Sequence, residues 1–185
     1  MKDFTAGFII SCLAYLILTA ILGIIFLAAG SSNYGLIVAI VHSFLLGFVT
    51  MIIFGVNYHI IPIFSGRDFY SPNLAYLHLV MANLGIIGLV FPLIFSSYPA
   101  DIPVIVKFSS VLFALSILVF IYNMLRTFIS PPATKIITNP FGEGDKNADN
   151  MAIRFTSVSI VYLLAGCPLG VLFLFLPHYI PYLRP

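Results

Sequence analysis

Between Phe4 and Gly66 the chain carries no Asp, Glu, Lys or Arg. A soluble fold has no place for so long an uncharged stretch. It exceeds the ~20 residues that one membrane-crossing helix needs and is long enough for two. The break falls at Gly30–Gly35, GSSNYG, where small and turn-forming residues cluster. With 61% hydrophobic and only 8% charged residues, too little polar surface remains to cover a water-soluble globule, so the chain reads as an integral membrane protein. Continuous apolar runs favour helices over barrel strands, which would be ~10 residues long and alternate in polarity.

The pattern predicts an all-α polytopic membrane protein: a single domain, residues 1–185, with five transmembrane helices at about 4–29, 36–63, 73–95, 103–125 and 155–176. Short connections join the first four, as antiparallel neighbours require. Residues 130–150, rich in Pro, Gly, Asn and Asp, form the one long loop. In a five-span arrangement Lys2, Arg67, Arg126, Lys135, Lys146 and Arg154 gather on one side, with Lys107 and Arg184 on the other. Retention of basic residues in the cytoplasm then places the N-terminus and the 130–150 loop inside and the C-terminus outside. The first apolar segment is too long for a signal peptide and lacks a small-residue cleavage site, so it reads as a retained helix.

Several chemistries find little support. Cys12 and Cys167 fall inside separate spans and neither has a CxxC neighbour, so disulfide or cysteine-metal chemistry is not indicated. Asp145–Asp149, DKNAD, has the oxygen spacing that opens a calcium loop but lacks the following Gly and the later bidentate Glu. The net charge of +2 is accounted for by topology, and nothing points to nucleic acid. Asn57, Asn83, Asn123, Thr50 and Ser116 lie within spans and would suit a channel, but a cation or proton transporter normally needs a mid-depth acid, and no span has one.

The four histidines carry the remaining signal. His42 lies about two turns in from the outer end of the second helix, and His59 lies near its inner end. They stand 17 positions apart, or ~25 Å along a helix at ~1.5 Å per residue, too far to share one small site. His78, in the third helix, matches His59 in depth. A planar macrocycle such as haem between His59 and His78 would need small neighbours, and Gly55, Ala82 and Gly85 meet that need. Arg67 or Lys2 would then neutralise haem propionates. His178 is the only other outer histidine, so His42 would pair with it, pair with a second subunit, or hold a five-coordinate haem. The plain alternative is that each imidazole simply hydrogen-bonds a neighbouring helix or headgroup, a contact contributing ~0.6–2 kcal/mol.

The run from His42 to Pro62, HSFLLGFVTMIIFGVNYHIIP, followed by FSGR, resembles the second transmembrane helix of the haem-copper oxidase and nitric oxide reductase catalytic subunits. It is more similar still to their short haem-binding relatives. The shared features are a histidine near the outer end, a middle of small and aromatic residues, and an aromatic-Pro exit; the likeness covers roughly Gly35 to Gly88. It implies that His42 ligates a low-spin haem b near the outer face. The family's later helices carry further haem and copper ligands that this chain lacks, so the resemblance does not extend to oxygen or nitric oxide reduction by this chain alone. It implies an electron-transfer subunit rather than a complete oxidase, working with other subunits of a respiratory complex or as a homo-oligomer, in a prokaryotic-type cell membrane. Two further readings stand beside it: a non-redox accessory subunit, and a copper or nitric oxide handling protein with His42, His59 or His78 on the metal.

Overall fold

A computed structural model describes residues 3–29, 33–96, 102–131 and 146–175. It contains five helices long and apolar enough to cross a membrane, and no strand among the described residues. They are α1 (Asp3–Ala29), α2 (Tyr34–Ser65), α3 (Pro72–Ile94), α4 (Val104–Ile129) and α5 (Lys146–Phe175). The chain is a multi-pass helical membrane protein. Helices α1 to α4 follow the expected spans closely, while α4 runs a turn further and α5 begins earlier. The apolar part of α5, Arg154–Leu172, is what hydropathy detects; the preceding polar turns continue the same helix. Lys146–Asp149 thus open α5, and Asp145 lies outside the described residues.

Local chemistry sets the ends. Asn33 caps α2, its side-chain oxygen accepting from the Leu36 amide at 3.2 Å. Gly66 adopts the left-handed conformation (φ 59°) that ends α2. Ser71 accepts from the Leu74 amide at 3.3 Å, and Pro72 opens α3 where a missing N–H costs nothing. Within α2, Ser43–Thr50 widens into a π-helix, and the Thr50 hydroxyl donates to the Leu45 carbonyl five residues back at 2.8 Å. Such wide turns are uncommon and occur frequently at functional sites. This one begins immediately after His42.

Helical periodicity picks out the packed faces. In α1 the buried stripe is Phe4, Phe8, Cys12, Tyr15 and Leu22; in α3 it is Ala75, His78, Ala82, Ile86, Leu89 and Leu93. The interface between α3 and α4 is the most extensive, α1 packs on α2 and α3, and α5 lies peripherally on α4 and α2. Polar side chains tie the helices together. The Tyr15 hydroxyl on α1 donates to the Asn83 side chain on α3 at 3.1 Å. Asn123 grips the start of α3, accepting from the Ser71 amide at 3.2 Å and donating to the Ser71 carbonyl at 3.0 Å. The Thr127 hydroxyl accepts from the Tyr70 amide at 3.2 Å. Hairpin 66–71 is therefore fastened to α4, at the end of the bundle that carries Arg67 and Arg126.

Candidate functional site: two histidine environments

His78 is completely buried, 0% exposed, because it falls on the core stripe of α3. Its ring lies within 4.5–5.7 Å, centroid to centroid, of Phe54, Phe8, Phe120 and Tyr58. Helices α1, α2 and α4 thus wall it in. The Tyr58 hydroxyl and His78 Nδ1 form a buried hydrogen bond of 2.9 Å, and His78 Nε2 has no polar partner among the described residues. Phe54 stands edge-to-face at 4.5 Å.

His59 lies one residue beyond Tyr58, a rotation of ~100° around the helix. Tyr58 faces the core and His59 is exposed on the outside of the bundle. The structure therefore brings Tyr58, not His59, to His78. The small residues expected to make room for a macrocycle have another use. A Cβ at Gly55 would stand 3.0 Å from the Phe8 Cβ, and one at Gly85 would stand 2.8–3.0 Å from Cβ, N and Cα of Phe113. Ala82 is fully buried. These positions let α1 approach α2 and α4 approach α3, which is the usual role of small residues between membrane helices. A haem bridging His59 and His78 does not fit this packing. Arg67, assigned to propionates, donates instead to the Ser130 carbonyl, and Lys2 lies outside the described residues.

His42 is different. It is half-buried near the opposite end of the bundle, about 12 Å along the helix from Tyr34 at ~1.5 Å per residue. Its Nδ1 lies 2.8 Å from the Val38 carbonyl oxygen. A carbonyl can only accept, so Nδ1 carries the proton and, in the neutral ring, Nε2 keeps the lone pair. Val41, Phe44 and Leu45 beside it are exposed. His178, its expected partner, lies outside the described residues. Among the described residues no group of three or more His, Cys, Asp or Glu side chains could hold a metal ion.

The polar residues that suited a channel are satisfied close at hand. Asn57 donates to the Ile53 carbonyl, Asn83 to that of Leu79 and Ser116 to that of Phe113. The Cys12 thiol is likewise buried and donates to the Ile9 carbonyl at 3.1 Å.

Sequence reasoning missed the Tyr58–His78 pair. The signal was present in the spacing of Met51, Phe54, Tyr58 and Ile61, all buried, which puts Tyr58 and not His59 on the inner face. Tyr58→Phe removes the one polar partner of a buried imidazole, and such a loss costs about 1–3 kcal/mol. Replacing both groups, Tyr58→Phe with His78→Leu, recovers part of that loss. Thermal unfolding in detergent of both single variants and the double variant reads this coupling; strict additivity would mean that the hydrogen bond contributes nothing.

Comparison with protein-family models, with curated proteins and with solved structures finds no match to this chain.

Proposed function

We propose that the chain is a b-type cytochrome-like membrane subunit that holds haem through His42 and passes electrons within a respiratory membrane complex. The observation that carries the reading is the His42 ring: its Nδ1–H is anchored to the Val38 carbonyl at 2.8 Å, which fixes the tautomer and directs the basic nitrogen away from the helix backbone. Metal-binding histidines usually have their second ring nitrogen held in this way. The π-helical turn that follows and the resemblance of the His42–Pro62 run support the same assignment. When bound, haem supplies one-electron chemistry, and the protein supplies axial ligation, burial and orientation.

His42 is the only histidine suited to this role among the described residues. His78 is walled by aromatic rings, and His59 points out of the bundle. His178, a second copy or a partner subunit would supply any further ligand from outside the described residues. The apolar surface of Val41, Phe44 and Leu45 suits the face of a porphyrin. By the cytoplasmic preference for basic residues, the Arg67 and Arg126 end lies inside, and His42 lies toward the outer face of a prokaryotic-type cell membrane.

A second reading is a non-redox accessory subunit. It is favoured by the complete enclosure of His78 and by the use of Gly55 and Gly85 in packing. The reduced-minus-oxidised visible spectrum of protein purified from haem-replete cells separates the two. The cytochrome reading expects the sharp reduced bands of a b-type haem, and a colourless, folded protein would leave the accessory reading standing.

A further inference from the structure

Where α4 leaves its apolar span at Ile129, a cleft of about 160 Å³ opens between the hairpin and the helix end, lined by Tyr70, Arg126, Ile129, Ser130 and Pro131. None of these residues is acidic. The Arg126 guanidinium lies 4.9 Å from the centre of the Tyr70 ring. Tyr122 stands edge-on to Tyr70 at 6.0 Å. The hydrogen bond with Tyr122, and after it the Arg126 charge, hold the Tyr70 phenol below the usual tyrosine range.

A helix C-terminus carries roughly half a negative charge, which would oppose an anion. Here that end is capped. The Ser130 amide donates to the Thr127 carbonyl at 3.3 Å, the Ser130 hydroxyl donates to the Arg126 carbonyl at 2.8 Å, and Arg67 takes the Ser130 carbonyl. Arg67 and Arg126 bring two guanidinium charges to this end against the single carboxylate of the hairpin, Asp68, and two of the helix-end carbonyls, those of Arg126 and Thr127, already have donors. An arginine fork matches a phosphate oxyanion in shape and hydrogen bonding, and the cleft sits where the apolar span of α4 ends, the level at which headgroups are expected.

We infer that this cleft binds the phosphate of an anionic phospholipid, with Arg126 as its main ligand and Tyr70 as the wall that orients the guanidinium. The choice of lipid over soluble phosphate follows from the apolar side chains of Ile129 and Pro131, which line the same cleft beside the charge.

The test is lipid retention by the whole purified protein, measured by native mass spectrometry in mixed micelles of phosphatidylglycerol and phosphatidylcholine. Arg126→Gln is compared with Arg154→Gln, an exposed arginine of α5 outside the cleft. The wild type and Arg154→Gln should retain phosphatidylglycerol in preference to phosphatidylcholine. Arg126→Gln should bind it about tenfold more weakly, the scale of one charge-assisted hydrogen bond. Equal losses in the two variants, or no loss in Arg126→Gln, overturn the site. Displacement of the lipid by millimolar inorganic phosphate overturns its assignment to lipid.

Discussion

On the reading that His42 holds haem, His42→Ala is expected to lose at least tenfold in bound haem per chain, while the protein still folds and inserts. The expectation rests on geometry, because His42 is half-buried and its one hydrogen bond runs to a carbonyl within its own helix. Truncating it leaves no buried group unpaired elsewhere, and a substitution of this kind changes stability by less than about 1 kcal/mol. As the proposed haem ligand, by contrast, it has no substitute nearby among the described residues. His59→Ala is the matched control: the imidazole is exposed on the outside of the bundle, so haem content should be unchanged. Pyridine haemochrome assays against protein concentration read both. Full haem content in a folded His42→Ala protein removes His42 from the site.

Gly85→Leu is expected to have the largest effect on the fold. Any Cβ at this position meets Cβ, N and Cα of Phe113 at 2.8–3.0 Å. Two of those atoms are backbone, so no rotamer change can relieve the clash. α3 and α4 would have to separate along the most extensive interface in the bundle. Overpacking costs typically 1–3 kcal/mol, and roughly 3 kcal/mol is expected here. Gly23→Leu is the contrast, because nothing lies within 4 Å of a Cβ there; its effect should stay within about 0.5 kcal/mol. Thermal unfolding in detergent distinguishes the pair. Similar midpoints for the two variants would mean that α3 and α4 do not pack at the Gly85 contact.

The number of spans was legible in the sequence because burial in lipid demands long uncharged runs, and charged or turn-forming residues interrupt them between helices. The facing of each helix was much harder to read. In a soluble helix a polar side marks the surface, but here lipid is as apolar as the core. Ile10, Ile17 and Ile24 face outward in α1 while Phe4, Phe8 and Leu22 face inward, and hydropathy separates the two sets poorly. What does mark the inner face is the position of small and polar residues: Ala75, His78, Ala82 and Gly85 in α3, and Ser109, Ser116, Asn123 and Thr127 in α4. Read by that criterion, His78 belongs inside.

Matched depth and small neighbouring residues pair His59 with His78 in the sequence. Their levels do match, but rotation about the axis of α2 gives the inner place to Tyr58. Gly55 and Gly85, expected to make room for a macrocycle, are sites where a neighbouring helix approaches closely. The π-helical turn after His42 left no sequence signal that hydropathy could detect, since it depends on backbone hydrogen bonding.

The most direct test of the account is the haem-to-chain ratio of the purified wild-type protein, taken by pyridine haemochrome against amino-acid analysis. Haem at no more than one per chain is expected, since His42 is the one histidine among the described residues proposed to hold it and the space around His78 is filled by aromatic rings. Two haems per chain would contradict the single-site reading, and no haem at all would contradict the assignment of His42.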